Sequence, residues 1–264
     1  MSFITLLTNF WLKPQDYLQD KSLLYMDVLF LFQNSSWKSF VSCLVWKNKE
    51  QFICESIDKN VISNAFEAPL LELLKMMSLL LINDQANTNK TDHIAFKLNV
   101  DLLHNKPLSS EIVKVSYPDE ESFFDDLKTA NSRRVKYLLY LYAHIYGDFS
   151  NPIDVSKLQI EHILPKEWQN ACFDGWDENS HAEYLEKIGN KILLDSKRNI
   201  KCANNFFAKK KEIYKESSDN LNLKEVKDLA AKEEKNAWYK EDIDKRGEEI
   251  YKGLKNFVMS QNPA

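Results

Sequence analysis

Apolar positions recur at three- and four-residue steps along much of the chain, the period of a helix that buries one face. Leu70, Leu73, Leu74, Met77, Leu80 and Leu81 make one such stripe, and the run from Leu23 to Phe32 reads as a second core helix. From Asn131 to Tyr146 the pattern is apolar on most sides. Val135, Leu138, Leu139, Tyr142, Ile145 and Tyr146 share one face, and Tyr137, Tyr140 and Leu141 fill much of the rest. Gly147 and Asn151-Pro152 punctuate its end. Two more helices are expected at 223–235 and 241–257, the second faced by Ile243, Ile250, Leu254, Phe257 and Val258. Trp37–Trp46 and Phe52–Ile57 fit helix or strand equally. Polar Gln85–Asp92 reads as a loop, and Pro118 followed by three acids reads as a turn leading into a helix.

The period changes in the middle of the chain. LQIEHILP, starting at Leu158, is a short apolar run carrying Glu161 and His162 and stopped by Pro165. IGNKILL follows about 25 residues later, with Asn190 opening its apolar part. Then comes DSKRNIKCANNFFAKKKEIY, a basic amphipathic segment headed by Asn199, with Phe206, Phe207, Ile213 and Tyr214 on its buried side. The order strand, loop, strand, helix results. The expected fold is mainly α: a helical domain over residues 1–128, then a domain over 129–264 whose core, 158–216, is embedded in helices.

Composition narrows the class. Five glycines and seven prolines in 264 residues suit long helices with few tight turns. The formal net charge of −4 does not mark a nucleic-acid binder. Charge is uneven, however: Glu167–Glu186 carries acids without a lysine or arginine, whereas Lys187–Lys215 is strongly basic. Four cysteines without a CxxC pair exclude a paired-knuckle zinc site and read as reduced thiols of a cytoplasmic protein. The apolar runs are too short and too charged to span a membrane.

The polar residues at the joints suit phosphodiester hydrolysis. A neutral imidazole, His162, can take a proton from water. Glu161 offers the hard oxygen that Mg²⁺ or Mn²⁺ prefers, and Asn199 a second, neutral oxygen. Neighbours on a strand point to opposite faces, so Glu161 and His162 can serve one site only where the strand ends. Asn190, with both donor and acceptor, suits a brace between the loop after His162 and the second strand. Lys197, Arg198, Lys201, Lys209 and Lys210 are the expected phosphate contacts. Singly, each residue has a plain structural explanation; their joint spacing is what is specific.

LQIEHILPKEW, IGNKILLDSKRN and NNFFAKKKEIY together resemble the HNH (ββα-metal) nuclease superfamily, and in particular the C-terminal nuclease domain of GmrSD-type modification-dependent restriction enzymes. The tail Trp238…Ile243…Arg246 resembles the end of that domain, so the likeness runs over about 130–257. The resemblance implies a Mg²⁺-dependent endonuclease acting on DNA in phage defence. His162 matches the general base, Glu161 and Asn199 the metal positions, and Asn190 the middle asparagine of the motif. Asparagine at 199 stands where the superfamily often has its last histidine. Members with both halves also carry a nucleotide-hydrolysing module with a DGQQR-like motif; neither that motif nor a P-loop occurs here. The chain is then expected to be either the nuclease half of a split system, with a separately encoded sensor or nucleotidase subunit as partner, or the tail of a longer protein, with residues 1–128 docking on the absent module. A second reading stays open: an HNH-like scaffold that holds DNA or a partner without cleaving it.

Overall fold

The computed structural model describes residues 2–53, 58–108, 115–167, 175–216 and 223–260. Thirteen α-helices and one two-stranded sheet are formed among the described residues, which makes the protein mainly α with a small ββα unit. Two compact units divide it. Met1–Pro118 and Phe257–Ala264 form one, and Asp119–Asn256 the other.

The first unit is helical throughout its described part. Its longest helix, α5 (Lys59–Ile82), starts a full eleven residues before the Leu70 stripe. The Asp58 carboxylate caps it by accepting from the Asn60 and Val61 amides, and Pro69 lies inside it. The ambiguous stretch at Trp37 is helix α3 (Trp37–Lys47), and Lys49–Ile53 forms the short α4, while 54–57 lie outside the described residues. The expected loop at Gln85–Asp92 is only half a loop. Asn87 caps helix α6 (Thr88–Leu103), so polar Thr88–Asp92 is its first turn. The side-chain cap at Asn87 outweighs the lack of apolar residues there. Phe10, Phe52 and Phe66 meet in the core with ring centroids about 6 Å apart.

The second unit opens with α7 (Glu120–Thr129), capped by Asp119, and α8 (Ser132–Tyr146), capped by Asn131 and ended at Gly147. The domain edge expected at 128 lies inside a chain segment that belongs with α8 and the sheet, since the unit begins at Asp119. Strand β1 (Leu158–His162) pairs antiparallel with β2 (Lys191–Asp195), from Leu158 opposite Asp195 to His162 opposite Lys191. A lone two-stranded ribbon is marginal in water. Here every residue of β2 is buried, because the strand packs on α8, on α10 (Ser196–Cys202) and on α12 (Lys224–Ala230). Helix α9 (Glu178–Leu185) precedes β2, and α13 (Lys240–Met259) follows α12.

The helix expected after β2 is not formed as one piece. Asn199 does not open a single helix running to Tyr214. Asp195 caps α10 by accepting from the Arg198 amide, which puts Asn199 in the middle of that helix. The chain then breaks at Ala203, whose φ of 39° no helix continues, and resumes as α11 (Phe207–Lys215). Among the described residues no helix is long and apolar enough to cross a membrane.

Candidate active site

The joint between the strands is built around Asn190, whose side chain is fully enclosed. Its Oδ1 accepts from the Leu164 amide at 2.7 Å, and its Nδ2 donates to the carbonyls of Leu185 at 2.9 Å and Leu164 at 3.4 Å. Its own carbonyl accepts from the Ile163 amide at 2.9 Å. Both polar atoms of this buried amide are thus used, tying the turn that follows His162 to the end of α9, as burial demands.

A second clamp holds Asn190 from behind. Arg246 on α13 is buried, and its Nη1 donates to the carbonyls of Ile188 (3.3 Å), Gly189 (3.0 Å) and Lys191 (2.6 Å). Glu225 on α12 holds the guanidinium from the other side at 2.9 Å. Gly189 lies so close to α13 that a Cβ there would stand 1.9 Å from the Ile243 carbonyl oxygen. Sequence reading placed Arg246 only in a resembling tail, with no task.

Glu161 and His162 end β1 with their side chains on opposite faces, as strand geometry dictates. Glu161 turns toward α11. Its Oε1 lies 2.7 Å from Lys210 Nζ and accepts from the Tyr214 hydroxyl at 3.4 Å. Burial pushes its carboxyl above the usual range, and the Lys210 ammonium and the Tyr214 hydroxyl work against that push. Lys210 also donates to the His162 carbonyl, so one ammonium ties the end of β1 to α11.

His162 faces the other way. Its Nε2 is 3.3 Å from Glu186 Oε1, but not in line for a hydrogen bond, and Nε2 has no hydrogen-bond partner among the described residues. Burial lowers its pKa to about 4; Glu186 opposes this, and Lys166 and Lys191 add to it. The ring is therefore neutral at pH 7. Glu186 bridges on to Lys191 at 2.7 Å. Burial tends to raise the Glu186 carboxyl, but Lys191 outweighs it and holds the group below the usual range.

Asn199 donates through Nδ2 to Gln159 Oε1 at 2.8 Å. Gln159 is two residues before Glu161 and so on the same strand face. The structure thus brings the two expected oxygen donors, Glu161 and Asn199, to one face, and sets the His162 imidazole on the other. The donor set itself fits a hard cation, a carboxylate with an amide oxygen, and such a cation would compete with Lys210 for Glu161. Among the described residues no three His, Cys, Asp or Glu side chains cluster as a metal site; the expected set needs only one of them.

The five expected phosphate contacts split in two. Lys197, Lys201 and Lys209 are exposed, Lys201 alongside Glu216. Arg198 and Lys210 are buried and committed inward, Arg198 to Asp195 and to the Tyr214 carbonyl, Lys210 to Glu161. Those two are corrected from surface contacts to internal ties. Their positions on α10 and α11 point into the unit, where each meets a buried carboxylate.

A two-stranded antiparallel ribbon closed by helix, with an acid–histidine pair at the end of its first strand and a buried asparagine locking the following turn, defines a ββα nuclease-type domain. The family model for the C-terminal domain of GmrSD restriction endonucleases matches residues 117–252, just over half of the chain. The chain belongs to that family, one of restriction endonucleases. No curated protein matches the chain.

Proposed function

We propose that this protein is a metal-dependent endonuclease that hydrolyses DNA phosphodiesters as the nuclease component of a modification-dependent restriction system. The observation that carries the reading is His162. Within the family-matched segment, at the end of β1, stands a neutral imidazole whose buried Nε2 has no hydrogen-bond partner among the described residues and lies beside Glu186, just before a turn that Asn190 holds.

His162 accepts the proton of the attacking water, with Glu186 beside it to stabilise the imidazolium that forms. Asn190 acts through position, holding the turn after His162. Glu161 and Asn199 are the residues that would hold Mg²⁺ or Mn²⁺. When bound, that ion supplies Lewis-acid polarisation of the phosphate and charge for the leaving oxygen. Lys197, Lys201 and Lys209 offer the exposed cations that position a phosphate backbone. Supercoiled plasmid, modified and unmodified, incubated with the protein and MgCl₂ or MnCl₂ should be nicked or linearised, and EDTA should stop the reaction. A sensor subunit supplied by a separate chain is part of this reading, and the assay includes the product of the neighbouring reading frame.

One observation favours a second reading, a scaffold that holds DNA or a partner without cutting. Glu161 already has a buried cation in Lys210, so its carboxylate is satisfied without a metal. DNA retention that needs no divalent ion and survives His162→Ala would favour that reading.

A further inference from the structure

The family-matched unit carries a groove next to the strand joint, between α7, the end of α9 and α13, with a volume of about 830 Å³. Its floor is apolar, made by Phe124, Leu127, Ile188 and Ile243. Gly189 and Gly247 lie along it where α13 packs against the segment before β2. Its walls are acidic. Seven carboxylates line the groove against two ammonium groups, Lys128 and Lys187, so the lining is negative by five. Those lysines pair with two of the wall acids, Lys128 with Asp125 at 2.7 Å and Lys187 with Asp244 at 2.9 Å, and two lysines outside the lining pair with Glu186 (Lys191, 2.7 Å) and Glu248 (Lys252, 2.8 Å), which leaves the groove and its rim negative by about three.

Charge excludes DNA and anionic lipid from such a surface. The acids are also spaced. Glu121 and Asp125 stand one helical turn apart on α7, and Asp244 and Glu248 one turn apart on α13. Two walls of carboxylates at the helical repeat, over an apolar floor, complement a helix with lysines or arginines at three- and four-residue steps and an apolar stripe between them. A small polycation would meet the walls and leave the floor uncovered.

We propose that this groove docks a basic amphipathic helix of a partner protein. The inference does not depend on the nuclease reading, because binding is measured without cleavage. It does bear on it: Glu186 lines the groove and also approaches His162 at 3.3 Å, so an occupant would lie beside the imidazole.

The test is fluorescence anisotropy on the full chain with three designed peptides. One has a leucine face and a lysine face, one replaces lysine by glutamate, and one scrambles the lysine peptide so that no face forms. The lysine peptide should bind in the micromolar range and weaken by about tenfold or more in Glu121→Lys/Asp125→Lys. Both positions are exposed, and circular dichroism checks that the fold is kept. The glutamate and scrambled peptides should not bind. Equal binding of the lysine peptide to the double variant, or equal binding of the scrambled peptide or of spermine, would overturn the proposal. So would a self-association of the chain that the double variant abolishes, since the occupant would then be a second copy.

Discussion

Lys210 Nζ lies 2.7 Å from Glu161 Oε1, and neither side chain is more than 5% exposed. An ion pair so enclosed is costly to break from one side, because the surviving charge stays buried without compensation. Lys210→Met should therefore destabilise the protein by about 3–5 kcal/mol in urea denaturation. Adding Glu161→Gln to it should return much of that loss. A single variant as stable as wild type would mean that the pair opens to water.

Asn190→Ala removes the brace on the turn after His162 and leaves the Leu164 amide buried without its acceptor. A loss of about 2–3 kcal/mol is expected from the missing bonds and the orphaned donor. Nuclease activity should fall further than the unfolded fraction explains, which a parallel measurement of folded protein by circular dichroism would separate.

Gly189→Ala should be as harmful as any core change, since the added methyl meets the Ile243 carbonyl at 1.9 Å. Gly175 offers the control: its φ of 83° strains a side chain, but among the described residues nothing lies within 4 Å of an added Cβ. Thermal melts of the two alanine variants should rank Gly189→Ala far below Gly175→Ala.

Stability should depend on pH through two groups of opposite sign. His144 is buried in α8 between Tyr140 and Phe149, neither ring nitrogen has a hydrogen-bond partner among the described residues, and burial lowers its pKa to about 4. The unfolded chain then binds the extra proton between pH 6.5 and 4, so this contribution is whole above 6.5 and is lost as pH falls to 4, about 3 kcal/mol in all. Asp27 in α2 (Asp20–Leu29) is raised by burial to about 6. Its penalty grows as pH rises from 3.8 through 6, so Asp27→Asn should stabilise the protein at pH 7 by about 1–2 kcal/mol, allowing for its partial exposure. Denaturation curves at pH 5 and pH 7 for Asp27→Asn and His144→Phe check both signs.

Much of this fold can be read from periodicity. The α8 stripe, the Leu70 stripe and the helix at 241–257 were legible, because each buries a continuous face, whereas the helix expected over 223–235 ends at Ala230. The boundaries of α5 and α6 were not, since side-chain caps at Asp58 and Asn87 start helices among residues that look like loop. In the site, the task of Asn190 followed from its chemistry. The inward turn of Lys210 was also available: Phe207, Lys210, Lys211 and Tyr214 repeat at helical steps, and all four are buried. Reading a lysine run as surface hid it. Glu186 beside His162 and Arg246 behind Asn190 depend on contacts far apart in sequence, and no local pattern signals them.

The central claim is that His162 takes the proton in DNA cleavage. The measurement that bears on it most directly is the rate of plasmid cleavage in MgCl₂ by wild type and by His162→Ala, with melting temperatures taken on the same preparations. The account predicts a wild-type rate that His162→Ala lowers by about 10²-fold or more at an unchanged melting temperature. Equal rates for the two proteins would contradict it.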